Sequence, residues 1–328
     1  MVPFGQKNKF FALVVSVLLL ASCAEDKQKP QAKPKAAKAK IVVPQVNADS
    51  AFKYVENQLS FGPRTNNSKG HEACGDYLVS FFKDLGLNVE VQKGTVKGHD
   101  GKKLKFRNII VQHNPHYATR VFVSAHWDTR PWADEDQKRQ REPILGANDG
   151  ASGVALLMEI ARVISQDSAK VGIDFILWDA EDYGMPGIED SYCLGSQYWS
   201  NNKLPLNYRA KYGINLDMVG GTSGNFPIEE ISSYYAGPIV DKVWNKAHDL
   251  GYGKYFPKIK TGAITDDHYY INTMAKIPCI DIIHKNSVTE QFHPSWHTHA
   301  DNMDAIDKNT LKAVGQTVIS VVYDEILM

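Results

Sequence analysis

Apolar and polar positions follow two patterns along this chain from about residue 50 onward. Six runs are rich in β-branched, aliphatic and aromatic residues, which is typical of strands: residues 88–96, 105–113, 119–128, 172–182, 212–220 and 277–284. Five other segments space their apolar residues as amphipathic helices do: residues 51–59, 71–85, 151–165, 237–250 and 308–326. Strands alternating with helices predict an α/β fold: a three-layer sandwich with a central mixed, mostly parallel sheet flanked by helices.

Short polar signals predict where the first two helices begin and end. Asp49 or Ser50 is the predicted N-cap of the first helix, which Gly62-Pro63 ends nearby. Gly86 lies just beyond the predicted end of the second helix, where glycine is favoured.

The N-terminus has the pattern of an export signal. A basic start precedes an apolar run over residues 10–20, which is too short to span a bilayer, and Leu-Ala-Ser-Cys follows at residues 20–23. This order matches a bacterial lipobox and predicts a lipoprotein signal peptide over residues 1–22, with the lipid on Cys23. An ordinary signal peptide with an incidental Cys23 is the alternative. The lipoprotein interpretation predicts a membrane-anchored protein in the periplasm or on the cell surface.

Composition divides the rest of the chain into a linker and a domain. Residues 23–47 are rich in Lys, Pro and Ala and predict a flexible spacer. Residues 48–328 are long enough for one catalytic α/β domain with a substantial core. Residues 41–328 carry 29 basic and 35 acidic side chains. This acidic balance excludes a basic nucleic-acid face.

Three cysteines follow Cys23: Cys74, Cys193 and Cys279. An exported protein permits one disulfide, and the sequence leaves the pair open. Buried free thiols are the alternative, and no catalytic role is predicted for them.

Polar residues that can bind a metal gather where predicted strands end. The strand-end and turn residues are His126, Asp128, Asp149, Glu181, Asp182, Asp217, His297 and His299. In α/β sheets, ligands bind beyond the carboxyl ends of the strands. Carboxylates and imidazoles that converge there predict a divalent metal, with zinc favoured because histidine is present.

The doublet Glu181-Asp182 indicates that its strand has already ended. Successive side chains on a strand point to opposite faces, so one acid would otherwise turn away from the site. A turn that follows the strand can direct both side chains to the metal.

Five motifs in this order resemble the zinc aminopeptidase superfamily: "SAHWDT", "GANDGASG", "DAED", "LDMVG" and "WHTHADN". The early "FGPRTNNSKGHEACGDYL" also resembles its N-terminal helix region. Within the superfamily, "TDDH", "CLGSQYW" and the Trp-His pair at residues 296–297 resemble zinc-dependent glutaminyl-peptide cyclotransferases of the animal-like type and their bacterial lipoprotein relatives. The resemblance spans roughly residues 49–326.

The resemblance implies a site with one zinc ion. Its ligands would be Asp149, Asp182 and His297, which we prefer to His299 because it directly follows Trp296. Glu181 would act as the general acid/base.

Further residues of this chain match relay and substrate-binding positions of the family that it resembles. Asp217 and Asp266 match relay carboxylates, although Asp267 is an equally available neighbour of Asp266. His126 matches a histidine kept near the site, and Trp296 matches a wall of the substrate pocket. A histidine of the animal enzymes falls on Asp281 here, which is a departure from their pattern.

The implied reaction is cyclisation of N-terminal glutamine in peptides or proteins to pyroglutamate, with release of ammonia. A two-zinc aminopeptidase is the alternative, because Asp149, Asp182, His297, His126 and Asp217 could hold two metals. The ligand inventory does not separate the two enzymes. A non-catalytic tethered binding module is disfavoured, since the acid/base and every metal position are retained.

Other residues are weaker candidates. The tryptophans 127, 132 and 199 could also line a pocket. The acidic segment 132–143 is expected to be a solvated loop that could cover the pocket, and the Gly/Pro segment 183–192 to shape substrate entry. Six histidines are expected to be structural or on the surface: 71, 99, 113, 116, 248 and 268.

Overall fold

The computed structural model describes residues 42–166 and 172–325. The predicted signal peptide, the lipidation site Cys23 and most of the predicted linker lie outside the described residues. Contacts divide the chain into two units, residues 1–40 and residues 41–328, and all elements below belong to the second unit.

Within the described residues, eight strands form a large and a small sheet. The strands are β1 (Asn88–Lys97), β2 (Lys103–His113), β3 (Arg120–His126), β4 (Gly172–Trp178), β5 (Gly213–Asp217), β6 (Ile228–Glu229), β7 (Lys260–Thr261) and β8 (Cys279–Ile283). The large sheet has the order β1-β2-β4-β3-β5-β8, and β6 pairs with β7. Strands β4, β3, β5 and β8 are parallel, whereas β1 and β2 join as an antiparallel hairpin. The mixed, mostly parallel sheet is therefore confirmed.

Helices cover both faces of the large sheet. The helices are α1 (Ala48–Leu59), α2 (Lys69–Asp84), α3 (Ala151–Ser165), α4 (Leu194–Asn201), α5 (Glu230–Asp249), α6 (Asp267–Tyr270) and α7 (Lys308–Asp324). A π-helical turn, Ile271–Ala275, continues α6. Side chains alternate along β3: Val121 and Val123 join the core beneath α1, α2, α3, α5 and α7, and Phe122 joins the core beneath α4 and the π-helical turn. The three-layer sandwich is confirmed.

The helix predictions differ from the structure at several boundaries. Asn47, rather than Asp49 or Ser50, caps α1, because its side chain accepts from the backbone N–H groups of those two residues. Helix α5 begins at Glu230, seven residues before the predicted start, and is kinked at Ala236. Helices α4 and α6 were not predicted, because their 8 and 4 residues are too short for a clear period.

The segment just before α1 contacts the last helix of the domain. Val46 is buried, and its backbone N–H donates to Gln316 Oε1 on α7 at 3.0 Å. Val46, near the end of the predicted linker, therefore packs on the terminal helix. In the part of the chain that the structure describes, no helix has the length and apolar character needed to cross a bilayer.

Candidate active site

The carboxyl ends of the parallel strands bring the predicted site residues together. Strands β3 and β5 end on His126 and Asp217, and β4 ends three residues before Glu181. Asp149 approaches from the turn before α3. This approach needs Gly150, because a Cβ atom there would lie 2.5 Å from the carbonyl oxygen of His126. The predicted convergence at one sheet edge is confirmed.

Asp149, Asp182 and His297 form a buried triad. His297 Nε2 lies 3.3 Å from Asp182 Oδ1 and 3.8 Å from Asp149 Oδ2. One ligand atom from each of the three residues lies within 4.8 Å of the others. The structure thus assembles the set predicted to bind zinc.

The donor chemistry of this triad fits zinc. Asp182 Oδ2 is buried and has no hydrogen-bond partner among the described residues. Two buried carboxylates beside one imidazole repel each other unless a cation offsets their charge, and Asp, Asp and His are oxygen and nitrogen ligands that Zn²⁺ accepts. If zinc is bound by these three ligands, its fourth coordination position would be open to a substrate oxygen.

Asp134 and Arg130 lie outside the triad and orient His297. Its Nδ1 lies 3.1 Å from Asp134 Oδ1, and Asp134 is held by Arg130, whose Nη2 donates to Asp134 Oδ2 at 2.5 Å. Although burial opposes it, the contacts with His297 and Arg130 lower the pKa of Asp134. A carboxylate on the far nitrogen is how metal-binding histidines are commonly fixed.

His126 and Asp217 form a second group around the shared Asp149. His126 Nε2 lies 3.0 Å from Asp149 Oδ1 and 3.3 Å from Asp217 Oδ1. Burial raises the pKa of Asp217 to about 7, although the contact with His126 opposes this rise. His126 is 1% exposed and contacts Asp149 and Asp217, and it is not among the residues that line the active-site cavity, where a substrate-binding residue is expected.

Asp128 explains why Glu181 and Asp182 both face the site. Strand β4 ends at Trp178, and Ala180 turns the chain with a φ of 55°. The buried Asp128 carboxylate then accepts from the backbone N–H of Glu181 at 3.1 Å and of Asp182 at 3.2 Å. The prediction that the doublet lies in a turn beyond the strand is confirmed.

Glu181 lies beside the triad without belonging to it. Its Oε1 accepts from the thiol of Cys193 at 3.3 Å, and its Oε2 lies 3.9 Å from His126 Nδ1. Burial raises the pKa of Glu181 well above its ordinary value, although His126 opposes this rise. A carboxyl group with a raised pKa is suited to accept a proton and return it.

Asp266, rather than Asp267, is directed toward Glu181. Asp266 and Glu181 line one cavity, and Asp266 lies 3.9 Å from the thiol of Cys193 and accepts from Asn215 Nδ2 at 2.7 Å. Both carboxylate oxygens of Asp267 are buried and lack partners in the described ranges. Asn215 also donates to Asp281 at 3.4 Å, so one side-chain amide links the carboxylates of Asp266 and Asp281.

A cavity of about 390 Å³ gives access to these groups. Glu181, Asp217, Asp266 and the triad line it, together with Trp296 and Phe292. The Trp296 ring stacks on His297 at 3.8 Å between ring centroids. Trp296 is therefore placed as predicted, whereas tryptophans 127, 132 and 199 are not among the lining residues.

Sequence reasoning assigned no role to three residues that support the site: Asp134, Cys193 and Asp301. It included Asp128 among the candidate metal-binding residues, whereas the structure shows this carboxylate accepting from backbone N–H groups. Asp301 is fully buried and accepts from the backbone N–H of Asn148 at 2.8 Å and of Asp149 at 3.1 Å. Asp128 and Asp301 lie inside the motifs "SAHWDT" and "WHTHADN", so the sequence contained a signal that could have identified both as residues that support the site. Asp134 lies in the loop expected to be only solvated.

The remaining side chains have structural partners. Cys74, Cys193 and Cys279 are buried free thiols, so none of these cysteines forms a disulfide. His299 pairs with Asp136 at 2.8 Å, away from the triad. His71 and His268 are buried against Asp179 and Glu229, which confirms the structural role predicted for these two histidines.

Comparison with known proteins places these residues in a family context. The model of peptidase family M28 matches residues 108–322. The Bacteroides thetaiotaomicron glutaminyl cyclase bound to N-acetylhistamine is 51% identical, with a TM-score of 0.84 over 86% of this chain and 99% of that chain. A Zn-dependent exopeptidase from Parabacteroides distasonis is 50% identical, with a TM-score of 0.84 over 86% and 100%.

The aminopeptidase YwaD of Bacillus subtilis is 28% identical over 279 residues, which are 82% of this chain and 56% of that protein. The present chain thus spans little more than half of this relative. The predicted resemblance to zinc aminopeptidases and glutaminyl cyclases is confirmed. Since the family model covers most of the described domain, the chain belongs to peptidase family M28.

Proposed function

We propose that this protein converts N-terminal glutamine of peptides or proteins to pyroglutamate and releases ammonia. The observation that carries the proposal is the similarity to the Bacteroides thetaiotaomicron glutaminyl cyclase over nearly the whole domain. The geometry supports it, because Glu181 lies beside a triad fit for zinc in a cavity with an aromatic wall.

The reaction forms one C–N bond and breaks another. The α-amine nitrogen of the glutamine attacks its own γ-carboxamide carbon, the bond from that carbon to the amide nitrogen breaks, and ammonia leaves. The α-amine loses one proton, and the departing nitrogen gains one. Zinc bound by Asp149, Asp182 and His297 would polarise the γ-carbonyl oxygen.

The chain's own residues hold the substrate and move the proton. Glu181 accepts the α-amine proton at a carboxylate oxygen and delivers it to the leaving nitrogen. Asp266 and Asp217 line the cavity next to it and complete the relay. Trp296 narrows the cavity around the folded glutamine, which favours attack geometry and limits access of water.

One zinc per chain is sufficient in this proposal. The competing candidate, a two-zinc aminopeptidase, is favoured by one observation: Asp149 belongs both to the triad and to the group with His126 and Asp217. Titration of the metal-free protein with zinc separates them. Activity that saturates at one equivalent supports the cyclase, and activity that requires a second equivalent supports the peptidase.

Two substrates test the reaction itself. The protein is expected to release ammonia from a dipeptide that begins with glutamine and to leave Leu-p-nitroanilide intact. Hydrolysis of Leu-p-nitroanilide without cyclisation of the glutamine peptide would overturn the proposal.

The lipobox pattern supports anchoring to a membrane through Cys23, in the periplasm or on the cell surface. Cell fractionation of the wild type and of Cys23→Ala tests this part. The wild type is expected in the membrane fraction and the variant in the soluble fraction; equal distribution would contradict the anchor. Labelling intact cells then separates a periplasmic from a surface location.

A further inference from the structure

The active-site cavity continues into a second cavity along one side. This side cavity, of about 420 Å³, is lined by Met185, residues 187–192, Thr265, Tyr269 and Tyr270. It shares Tyr192 and Thr265 with the active-site cavity, so the two adjoin. When the first residue of a peptide lies at the triad, its second and third residues must leave through an open side of this kind.

Hydrogen bonds hold the wall of the side cavity in place. Ser191 Oγ donates to Ile188 O at 2.8 Å and accepts from the backbone N–H of Met185 at 3.0 Å. Tyr270 Oη donates to Asp190 Oδ1 at 3.0 Å, which ties helix α6 to the loop. A preformed wall loses little conformational freedom when a peptide binds.

The charged side chains that line the side cavity are both acidic. Among the described residues that line it, the charged side chains are Glu189 and Asp190, both exposed, and neither has a Lys or Arg beside it in the lining. A different cavity shares Glu290 with the active-site cavity; its lining carries Glu230 and Lys260, and Glu290 is paired with Lys285 at 2.9 Å. An acidic cavity favours a positively charged side chain, whereas a mixed one does not select by sign.

We infer that the side cavity binds the residues that follow the N-terminal glutamine and selects peptides with Lys or Arg at the second or third position. The inference rests on the proposed cyclase function and adds the substrate class to it. The tyrosines 192 and 269 provide apolar surface for the aliphatic part of such a side chain, and Glu189 and Asp190 attract its charge.

Amidated tripeptides test the selection. The values of kcat/KM for ammonia release are compared for Gln-Lys-Ala, Gln-Ala-Ala and Gln-Glu-Ala in low-salt buffer. The Lys peptide is expected to exceed the Glu peptide by about fivefold to tenfold, the effect of two exposed charges. The ratio should shrink at about 0.5 M salt, which screens exposed charges. A wild-type ratio near one or below it would overturn the inference.

Matched variants locate the selection. Glu189→Gln is expected to reduce the Lys-to-Glu ratio by about threefold, and the double variant Glu189→Gln, Asp190→Asn should bring the ratio close to one. The control is Glu230→Gln, the same change at an exposed residue of the other cavity, and it should keep the wild-type ratio. A ratio that survives the double variant but collapses in Glu230→Gln would place the peptide in the other cavity.

Binding without turnover keeps the inference separate from the proposed reaction. Fluorescence anisotropy of C-terminally labelled Gln-Lys-Ala and Gln-Glu-Ala on Glu181→Gln protein measures affinity alone. The cyclase proposal fails if wild-type protein releases ammonia from neither peptide. The side cavity still stands in that case if the Lys peptide binds Glu181→Gln protein more tightly than the Glu peptide and adding Glu189→Gln removes the difference. Equal binding of the two peptides would overturn the side cavity even if cyclisation is observed.

Discussion

Asp128 holds the turn that carries Glu181 and Asp182, and its substitution gives a quantitative test of the site. The carboxylate is fully buried, and each of its oxygens accepts one backbone N–H, from Glu181 and from Asp182. Asp128→Asn replaces one acceptor oxygen by an NH₂ group, which leaves one buried N–H facing another donor. The expected loss in the free energy of unfolding is about 2 kcal/mol, the cost of one buried unsatisfied polar group.

Zinc affinity should fall as well, because the turn no longer fixes the position of Asp182. Loss of an outer partner of a metal site typically weakens binding by about 10- to 100-fold. The measurement is competition for zinc against a chromophoric chelator, with urea unfolding of the metal-free protein alongside. Asp128→Ala removes both acceptors and should cost about twice as much stability.

Asp174→Asn is the matched control. Asp174 is equally buried but lies at the opposite end of β4, where it accepts from Arg120 Nε at 2.9 Å and from Tyr208 at 2.6 Å. This variant should lose stability and keep wild-type zinc affinity in the folded state. Wild-type zinc affinity in Asp128→Asn, or an equal loss of affinity in both variants, would refute the reasoning.

Three further predictions follow from single contacts. Glu181→Gln should retain zinc and lower turnover by about 10²- to 10⁴-fold, whereas Asp182→Ala should lose zinc; metal analysis showing full zinc in the latter contradicts the ligand assignment. Cys193→Ala should lower turnover by about threefold to tenfold through loss of the hydrogen bond to Glu181, and Cys193→Ser should restore part of it; equal rates in both variants would show that the thiol only fills space. Burial raises the pKa of Asp301 to about 7, so the folded, zinc-free protein keeps a proton that the unfolded chain loses near pH 4. The contribution of Asp301 to the free energy of unfolding should therefore fall as pH rises from about 4 to 7, so the difference in stability between the wild type and Asp301→Asn should change in that direction over this range; identical pH slopes of the two proteins in urea unfolding would contradict this.

The fold could be predicted where one periodicity extends over many residues. All six strands of the large sheet coincide with the predicted runs, and α3 has the predicted bounds. Strands β3, β4 and β8 are buried along their whole length and need continuous apolar surface, whereas the partly buried β1 is marked by its β-branched residues. The short elements α4 and α6 could not be predicted this way. Their places depend on contacts with distant residues, which local sequence does not encode: Trp199 of α4 packs against Trp178 of β4, and Tyr270 of α6 donates to Asp190.

The sequence predicted which residues gather as candidate metal ligands, but it did not predict the residues that hold them in place. Asp149, Glu181 and Asp182 lie in motifs at a turn and at a strand end, where their carboxylates can face a common site. Asp134 supports His297 from a polar loop 163 residues earlier, and a loop of that composition is ordinarily solvated. Asp128 acts on backbone N–H groups more than 50 residues away, a contact that no residue pattern specifies.

One peptide can separate the two enzymes most directly. The zinc-loaded protein is incubated with a peptide of sequence Gln-Lys-Ala-Phe, and the products are identified by mass spectrometry together with an ammonia assay. The cyclase account predicts pyroglutamyl-Lys-Ala-Phe and one equivalent of ammonia, with no shortening of the peptide. Release of free glutamine and Lys-Ala-Phe without ammonia would contradict it and assign the site to an aminopeptidase.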